Sequence, residues 1–368
     1  MKGLTPADYI MVGGFLGAGK STALLRLAQH LTAQGRRVAL ITNDQSYGLV
    51  DSVLAGAHGF PVEEITGGCF CCRFNSLIEA AERLRRRAKP DVFLAEPVGS
   101  CTDLRATVQH PLRQMYGDAY RVGPLSVLVD PLRALRVLGV APGKTFSAKV
   151  LYVYGKQLEE ADILVINKCD LLSPEQTSRL EDALRQRYPQ AELFRVSARE
   201  GTGLDRWFAG LAVEQRSRAA PHVDYDVYAE GEALLGWLNS TIRLSAAEPF
   251  DGNLFLSELT RRIRDRLARE SIEIAHLKMT LTPDDEAGGL GMLNLVSTAG
   301  EPDSSHRLEH ALSSGELILN LRAEGPPDVL RQAVEDAVAA ASGALAQVQH
   351  LEHFRPARPV PTHRVEAV

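Results

Sequence analysis

The stretch GFLGAGKST, residues 14–22, follows the apolar run YIMV, residues 9–12. Its first eight residues fit the P-loop pattern G-x-x-x-x-G-K-[ST], and a helix-forming sequence comes after it. Glycines let such a loop turn its backbone amide groups inward, where they bind phosphate oxygens at the positive end of the helix. The stretch therefore predicts a strand, a phosphate-binding loop and a helix, the opening unit of a nucleotide-binding α/β fold.

Individual residues of this loop have predicted roles. We expect Lys20 to neutralise the β and γ phosphates, the Ser21 hydroxyl to bind Mg²⁺, and Thr22 to reach a further phosphate. The other predicted nucleotide-binding residues of the loop are Gly14, Gly17, Ala18 and Gly19. The predicted ligand is thus a nucleotide with Mg²⁺.

A P-loop site also needs a carboxylate at the end of a nearby strand to hold the water shell of Mg²⁺. Glu96 follows an apolar run in the stretch FLAEPVG and is predicted to fill this role. Gly99, three residues later, is predicted to bring its backbone N–H close to the γ-phosphate.

The choice of base is predicted from NKCD, residues 167–170, which end another apolar run. The Asp170 carboxylate can accept hydrogen bonds from the ring N–H and the exocyclic amine of guanine, a pair of donors that adenine does not present. Asn167 belongs to the same base-binding motif, and Lys168 would lie along the base. Ser197 and Ala198, in SAREG, would close the pocket. The motif therefore favours GTP over ATP.

The stretch GGCFCC, residues 67–72, contains three of the five cysteines of the chain. Thiolates bind Zn²⁺, Co²⁺ and Ni²⁺ well, so Cys69, Cys71 and Cys72 are predicted transition-metal ligands. Three ligands leave one coordination position open, which suits an ion that is passed on. Two other interpretations stay open, namely cysteines that are simply buried and a redox pair formed by Cys69 and Cys72.

Further metal ligands are weaker candidates because each rests on a single residue. They are Asp44, Glu63, Glu64 and Cys101.

Composition narrows the class of protein. The chain has 368 residues, a formal charge of -5 and a pI near 6.1, so no basic excess points to nucleic acid. It contains no apolar run of the roughly 20 residues that a membrane helix needs, and its first residues do not resemble a signal peptide. We expect a cytoplasmic protein that binds neither nucleic acid nor membrane.

The order of apolar runs predicts two domains. Runs at residues 9–12, 37–42, 91–95, 124–130, 162–167 and 192–197 alternate with helical patterns, as in a mostly parallel sheet flanked by helices. We predict a P-loop GTPase domain over residues 1–215 and a linker over 216–226. A smaller α+β domain over 227–354 and a disordered, proline-rich tail over 355–368 are predicted to follow.

The four motifs GGFLGAGKST, GGCFCC, AEPVG and NKCD, in this order, resemble the CobW-like metallochaperone GTPases, which are related to the nickel-insertion GTPases of urease and hydrogenase maturation. The resemblance covers about the first 215 residues. It implies a GTPase fold able to form a homodimer around nucleotide. It also implies a client, either a metalloenzyme or a cofactor-assembly protein. This chain departs from the family pattern at two points. Asp44 stands where the family usually has a longer glutamate, and in EPVG the hydroxyl residue that usually follows the glutamate corresponding to Glu96 is absent.

The sequence thus predicts a GTP-hydrolysing metallochaperone, with Lys20, Glu96 and Asp44 as candidate catalytic residues and Asp51 as a further candidate to position the attacking water. GTP with Mg²⁺ would order the loops around the thiols, and hydrolysis would relax them. Three alternatives stay open: a chaperone for a metal cofactor such as a corrinoid, a small-molecule P-loop kinase, and a nucleotide-gated metal sensor with little turnover.

Overall fold

The computed structural model describes residues 5–43, 59–211, 218–285 and 288–367. These residues form two compact units. The first contains most of the chain up to Ala229 together with Arg358–Val368, and the second contains Glu230–Ala357. The division falls inside the helix Tyr225–Leu234, a few residues beyond the predicted linker.

The first unit is built on an eight-stranded sheet in which all the strand pairs are parallel. Its strands are β1 (Ala7–Gly14), β2 (Val38–Asn43), β3 (Val62–Ile65), β4 (Val92–Glu96), β5 (Tyr120–Val122), β6 (Ser126–Val129), β7 (Ile163–Ile166) and β8 (Glu192–Arg195). They lie in the order β3-β2-β4-β1-β6-β7-β8, and β5 pairs with β1. The P-loop therefore leaves the sheet near its centre, and the predicted fold class is confirmed.

Helices alternate with these strands. They are α1 (Lys20–Ala33), α2 (Phe74–Ala88), α3 (His110–Tyr116), α4 (Pro131–Val137), α5 (Ala148–Glu160), α6 (Pro174–Arg187), α7 (Leu204–Leu211) and α8 (Tyr225–Leu234). A π-helical turn, Arg105–Gln109, leads into α3. The start of α6 shows how local sequence sets a boundary, because Ser173 caps the helix and exchanges hydrogen bonds with Gln176.

Two strands of this sheet are absent from the sequence prediction. The strand β3, with the sequence VEEI, contains two glutamates, and β5 has only three residues. Neither has the continuous apolar run that marks a strand buried on both faces. Their strand conformation is determined by pairing with β2 and β1.

The second unit is a six-stranded antiparallel sheet with two helices, as its predicted α+β class requires. Its strands are β9 (Leu235–Phe250), β10 (Glu273–Pro283), β11 (Gly291–Leu295), β12 (Asp303–His306), β13 (Leu312–Glu324) and β14 (Leu345–Phe354), and its helices are α9 (Gly252–Arg269) and α10 (Pro327–Ala339). Apolar side chains of both helices and of the sheet form one core, with Leu259 and Val334 fully buried. The edge strand β12 is polar and is missed by the sequence prediction.

The end of the chain differs from its prediction. Instead of a disordered tail, residues 358–367 lie against the first unit. The backbone N–H of Val365 donates to the Ala106 carbonyl (2.8 Å), and the Arg364 guanidinium pairs with the buried Asp103 carboxylate (2.8 Å). Composition cannot predict this docking, because each partner lies more than two hundred residues away along the chain.

Within the described residues, no helix is both long enough and apolar enough to cross a membrane.

The ion pair of Arg364 with Asp103 gives the first prediction. Arg364→Ala should lower the free energy of unfolding of the first unit by about 2–4 kcal/mol, because it leaves a fully buried carboxylate without its cation. Arg358→Ala is the control, since Arg358 of the same tail forms an exposed ion pair with Asp226 of α8. This substitution should lower the free energy of unfolding by at most about 1 kcal/mol. Urea unfolding of both variants measures the difference, and equal small losses would show that the tail does not dock.

Candidate nucleotide and metal site

The P-loop backbone has the conformation that its glycines allow. Gly14, Gly17 and Gly19 have φ values of 131°, 79° and 87°, which disfavour residues with a side chain. A Cβ atom at Gly19 would lie 2.4 Å from Nδ2 of Asn167, and one at Gly14 would lie 2.4 Å from the Leu128 carbonyl oxygen. The loop is thus closely enclosed by the ends of neighbouring strands.

The predicted magnesium residues lie together. The Ser21 hydroxyl donates to Oε1 of Glu96 (3.1 Å), and Nζ of Lys20 lies 3.9 Å from the same oxygen. Lys20 and Glu96 are both buried. A hydroxyl and a carboxylate are the hard oxygen donors that Mg²⁺ prefers, so this donor set fits the ion.

Asn167 connects the P-loop to the loop after β8. Its Nδ2 donates to the Ala18 carbonyl (2.9 Å), and its Oδ1 accepts from the Ala198 N–H (3.0 Å). The side chain is buried, and both ends of its amide are bonded to backbone. In this structure Asn167 therefore positions the walls of the site.

The other predicted nucleotide residues differ in their surroundings. Lys168 donates to the Gly17 carbonyl (2.7 Å), while the Ser197 hydroxyl accepts from the backbone of Glu200 (3.1 Å). Asp170 and Thr22 are exposed to solvent. Asp170 lies on the 3₁₀ turn Cys169–Leu171, two residues after the lysine. Its carboxylate is thus exposed at the surface. Asp170 follows β7, which lies on the other side of β1 from β4, the strand that ends at Glu96.

Asp130 is a further site residue, missed by the sequence analysis. It follows β6, caps α4 by accepting from the Arg133 N–H (2.9 Å), and pairs with Nζ of Lys168 (2.8 Å). Burial raises the pKa of the Asp130 carboxyl, but the charges of Lys168 and Arg133 outweigh burial, and the pKa lies below its ordinary value. An aspartate before a proline at a helix start was the available signal, although it indicates only a cap.

The three cysteines of GGCFCC form a compact thiol cluster, defined as Cys69, Cys71 and Cys72. Their sulfur atoms lie 2.7 Å apart (Cys69 to Cys71), 3.4 Å apart (Cys69 to Cys72) and 3.6 Å apart (Cys71 to Cys72). Within the described part of the chain they make up the group of potential metal ligands whose donor atoms all lie within 4.8 Å of one another. The predicted clustering is therefore present in the structure.

Hydrogen bonds within the thiol cluster favour one thiolate. Bonds from Cys101, then Cys71 and Cys72, hold the pKa of Cys69 well below its ordinary value. Hydrogen bonds with Cys101, Cys69 and Cys72 hold the pKa of Cys71 well above its ordinary value. A hydrogen bond with Cys69 helps to raise the pKa of Cys72 to about 11. A metal ion would displace the remaining thiol protons, so its binding should release protons.

Asn43, the last residue of β2, holds the loop of the thiol cluster in place. Its Nδ2 donates to the carbonyls of Ile65 (3.0 Å) and Gly68 (2.8 Å), and its Oδ1 accepts from the Phe70 N–H (2.8 Å). This role of Asn43 is absent from the sequence prediction because a single asparagine at a strand end has no distinctive pattern.

The other predicted ligands differ in their surroundings. Cys101 hydrogen-bonds with Cys69 and Cys71 of the thiol cluster. Glu63 pairs with Arg83 (2.9 Å). Asp44 and Asp51 lie outside the described residues.

These features define the class of protein. A glycine loop opens a helix beside a strand-end carboxylate in a parallel sheet, which is the arrangement of a P-loop nucleotide-binding protein. In this chain a thiol cluster lies in a loop fastened to a neighbouring strand end.

The family follows from a comparison with known families. The family model described as the CobW/HypB/UreG nucleotide-binding domain matches residues 8–195, just over half of the chain. The chain belongs to this family, whose members are P-loop GTPases. The resemblance drawn from the four motifs is thereby confirmed.

Relatives of known name match part of the chain. The zinc chaperone YeiR of Escherichia coli is 28% identical over 172 residues, which cover 46% of this chain and 49% of that protein. The zinc chaperone CobW of Sinorhizobium sp is 27% identical over 240 residues, covering 60% and 66% respectively. The hydrogenase maturation factor HypB of Azotobacter vinelandii is 26% identical over 211 residues, covering 56% and 61%. The matches thus span from about half to about two thirds of the length of these relatives.

Two solved structures match parts of the chain at low similarity. HypB from Helicobacter pylori in complex with nickel covers 55% of this chain at 18% identity, with 84% of its own chain covered and a TM-score of 0.42. Zn(II)-bound YjiA GTPase from E. coli covers 91% of this chain at 14% identity, with 99% of its own chain covered and a TM-score of 0.35. Neither likeness bears on the function of this chain.

The close approach of Asn167 to the P-loop gives the second prediction. Gly19→Ala should weaken GTP binding at least about tenfold, because the new Cβ collides with the Asn167 amide that joins the two loops. Gly35→Ala is a matched control, since Gly35 also has a positive φ of 79° but has no atom within 4 Å of an added Cβ. Titration with a fluorescent GTP analogue measures both affinities. Equal affinities would contradict the predicted enclosure of the loop.

Proposed function

We propose that this protein is a GTPase that binds a transition-metal ion at Cys69, Cys71 and Cys72 and couples GTP binding and hydrolysis to delivery of the ion to a client protein. The observation that carries the proposal is the pairing of β2 with β4. Thr42 of β2 lies opposite Glu96 of β4 in the parallel register, and the next residue, Asn43, holds the thiol loop. The magnesium carboxylate and the support of the metal loop are therefore neighbours in one sheet.

The chain's own residues support phosphoryl transfer. Catalysis of this reaction is mainly positioning and neutralisation of charge. Lys20 lies at the start of α1, beside the inward-turned amides of the P-loop, where it would contact the β and γ phosphates. Ser21 and Glu96 would hold Mg²⁺, which supplies positive charge at the phosphate oxygens when bound. We assign nucleotide binding to these residues and to the predicted P-loop and base residues.

Hydrolysis also requires a residue that positions the attacking water. The candidates for this role are Asp44, Asp51 and Glu96. Glu96 lies within the described residues, and its carboxylate already interacts with Ser21 and Lys20. We therefore keep Asp44 and Asp51 as the proposed water-positioning residues. Slow intrinsic turnover is expected until a partner completes the site.

The cargo is proposed to be Zn²⁺ in preference to Co²⁺ or Ni²⁺. Thiolates accept all three ions, so ligand type alone does not choose among them. Two relatives are named zinc chaperones, which favours zinc. The client would be a metalloenzyme or a cofactor-assembly protein in the cytoplasm, and a homodimer around nucleotide is part of the same proposal.

The coupling gives the third prediction. Affinity for Zn²⁺, measured by competition titration, should differ at least about fivefold between protein loaded with Mg²⁺ and GDP and protein loaded with a non-hydrolysable GTP analogue. Changing Cys69, Cys71 and Cys72 together to serine should abolish high-affinity binding and the difference. Cys169→Ser is the control for zinc affinity within one nucleotide state, because this cysteine is not part of the thiol cluster. Equal zinc affinity in the two nucleotide states would refute the coupling.

The exposed Asp170 carboxylate gives the fourth prediction. Asp170→Asn should weaken GTP binding about tenfold or more, because an amide replaces a charged acceptor of two guanine donors. Binding of xanthosine triphosphate should improve, since xanthine presents an oxygen where guanine has its amine. Asp182→Asn, at an exposed carboxylate on α6, is the control and should change neither affinity. If GTP binds the Asp170 variant as it binds the parent, the base lies elsewhere.

A further inference from the structure

We propose that Cys101 is a fourth thiolate ligand, so that the thiol cluster holds its metal ion in a closed four-sulfur site. This inference rests on the proposed metal binding at the cluster and extends it. A fourth protein ligand would fill the coordination position that three cysteines leave open.

The first observation is the position of the Cys101 side chain. Its thiol hydrogen-bonds with the sulfur atoms of both Cys69 and Cys71, and the residue is 1% exposed. It reaches the cluster from a different segment, five residues after Glu96 at the end of β4. Cys101 therefore brings a fourth sulfur atom from a second segment to the side of the cluster formed by the buried Cys69 and Cys71.

The second observation is the spacing of the sulfurs. Metal–sulfur bonds of about 2.3 Å in a tetrahedral zinc site place the sulfur atoms about 3.8 Å apart. The three sulfurs of the cluster lie 2.7 to 3.6 Å apart, so a modest expansion would admit the ion. Each thiol that binds loses its proton to water and forms a sulfur–metal bond, without any transfer of electrons.

The backbone before Cys101 forms one hydrogen-bonded turn. The Cys101 N–H donates to the Val98 carbonyl (3.0 Å), and the Cys101 carbonyl accepts from Nε2 of Gln157 (2.8 Å). The same Nε2 also donates to the Gly99 carbonyl (2.9 Å). Gln157 is buried, so one side chain of α5 fixes the turn that presents the thiol.

The tail supports the negative charge of a thiolate site. The backbone N–H of Val360 donates to Sγ of Cys72 (3.2 Å), and Thr362 bonds to the carbonyls of Cys71 (2.8 Å) and Cys72 (3.1 Å). A divalent ion with four thiolates carries a net charge of -2, and hydrogen bonds from amide groups to sulfur stabilise such charge. The tail thus contributes a donor at the one cysteine of the cluster that is only half-buried.

The position of Cys101 links the two sites. The segment from Glu96 to Cys101 contains Gly99, where an added Cβ would lie 2.8 Å from the Leu16 side chain of the P-loop. A shift of Glu96 or of the P-loop would therefore move Cys101, while Asn43 holds the loop that contains the other three cysteines. Cys101 is thus the ligand whose distance from the metal would change with the nucleotide.

The direct test counts the sulfur ligands of the zinc-loaded, full-length protein by X-ray absorption spectroscopy. Four sulfur ligands are expected in the parent and three in Cys101→Ser. The variant should also bind Zn²⁺ at least about tenfold more weakly, because even the loss of a residue that only hydrogen-bonds to a metal ligand tends to cost that much. Cys169→Ser is the matched control and should keep four sulfurs. The nucleotide dependence of zinc affinity should shrink in Cys101→Ser relative to the parent.

The outcomes separate this inference from the proposed function. Three sulfurs and a lighter atom in the parent, or an unchanged sulfur count in Cys101→Ser, would overturn the role of Cys101 and leave metal binding by the cluster intact. Absence of cluster-bound zinc in the parent would overturn both. If Cys101→Ser does not fold, as judged by its GTP binding, the sulfur count of the parent still decides.

Discussion

The Glu96 carboxylate, buried beside Lys20 and Ser21, is the interaction on which the rest of the site depends. A buried carboxylate is costly unless a cation and hydrogen-bond donors compensate it, and the start of α1 supplies both. The contact fixes the P-loop against the end of β4. It also orients the turn after β4, which runs through Gly99 to Cys101 and so reaches the thiols.

Two asparagines, one at the end of β2 and one directly after β7, each hold a loop in place on opposite sides of this contact. Asn167 joins the P-loop to the loop after β8, and Asn43 joins the end of β2 to the loop of the thiol cluster. Each uses both ends of its amide to bond with backbone groups of the loop. Loops of irregular sequence thereby become fixed walls of the two sites.

Much of this arrangement could be predicted from the sequence because its signals are local. The apolar runs predicted six of the eight parallel strands, and the motifs predicted which loops contain glycine, carboxylate and thiol. The strands β3 and β5 and the edge strand β12 were missed because pairing, and not their own composition, makes them strands. Asp130 was missed because its ion pair with Lys168 joins residues far apart in sequence.

The sequence by itself determined the class of fold, the nucleotide loop and the presence of a thiol cluster, since each depends on residues close together in the chain. Only the tertiary structure decided which distant groups meet: Asn43 with the thiol loop, Cys101 with Cys69, and the proline-rich tail with Cys72. The physical reason is that parallel strands bring together chain segments that a whole helix and its loops separate, so their contacts leave no periodic signal in the sequence.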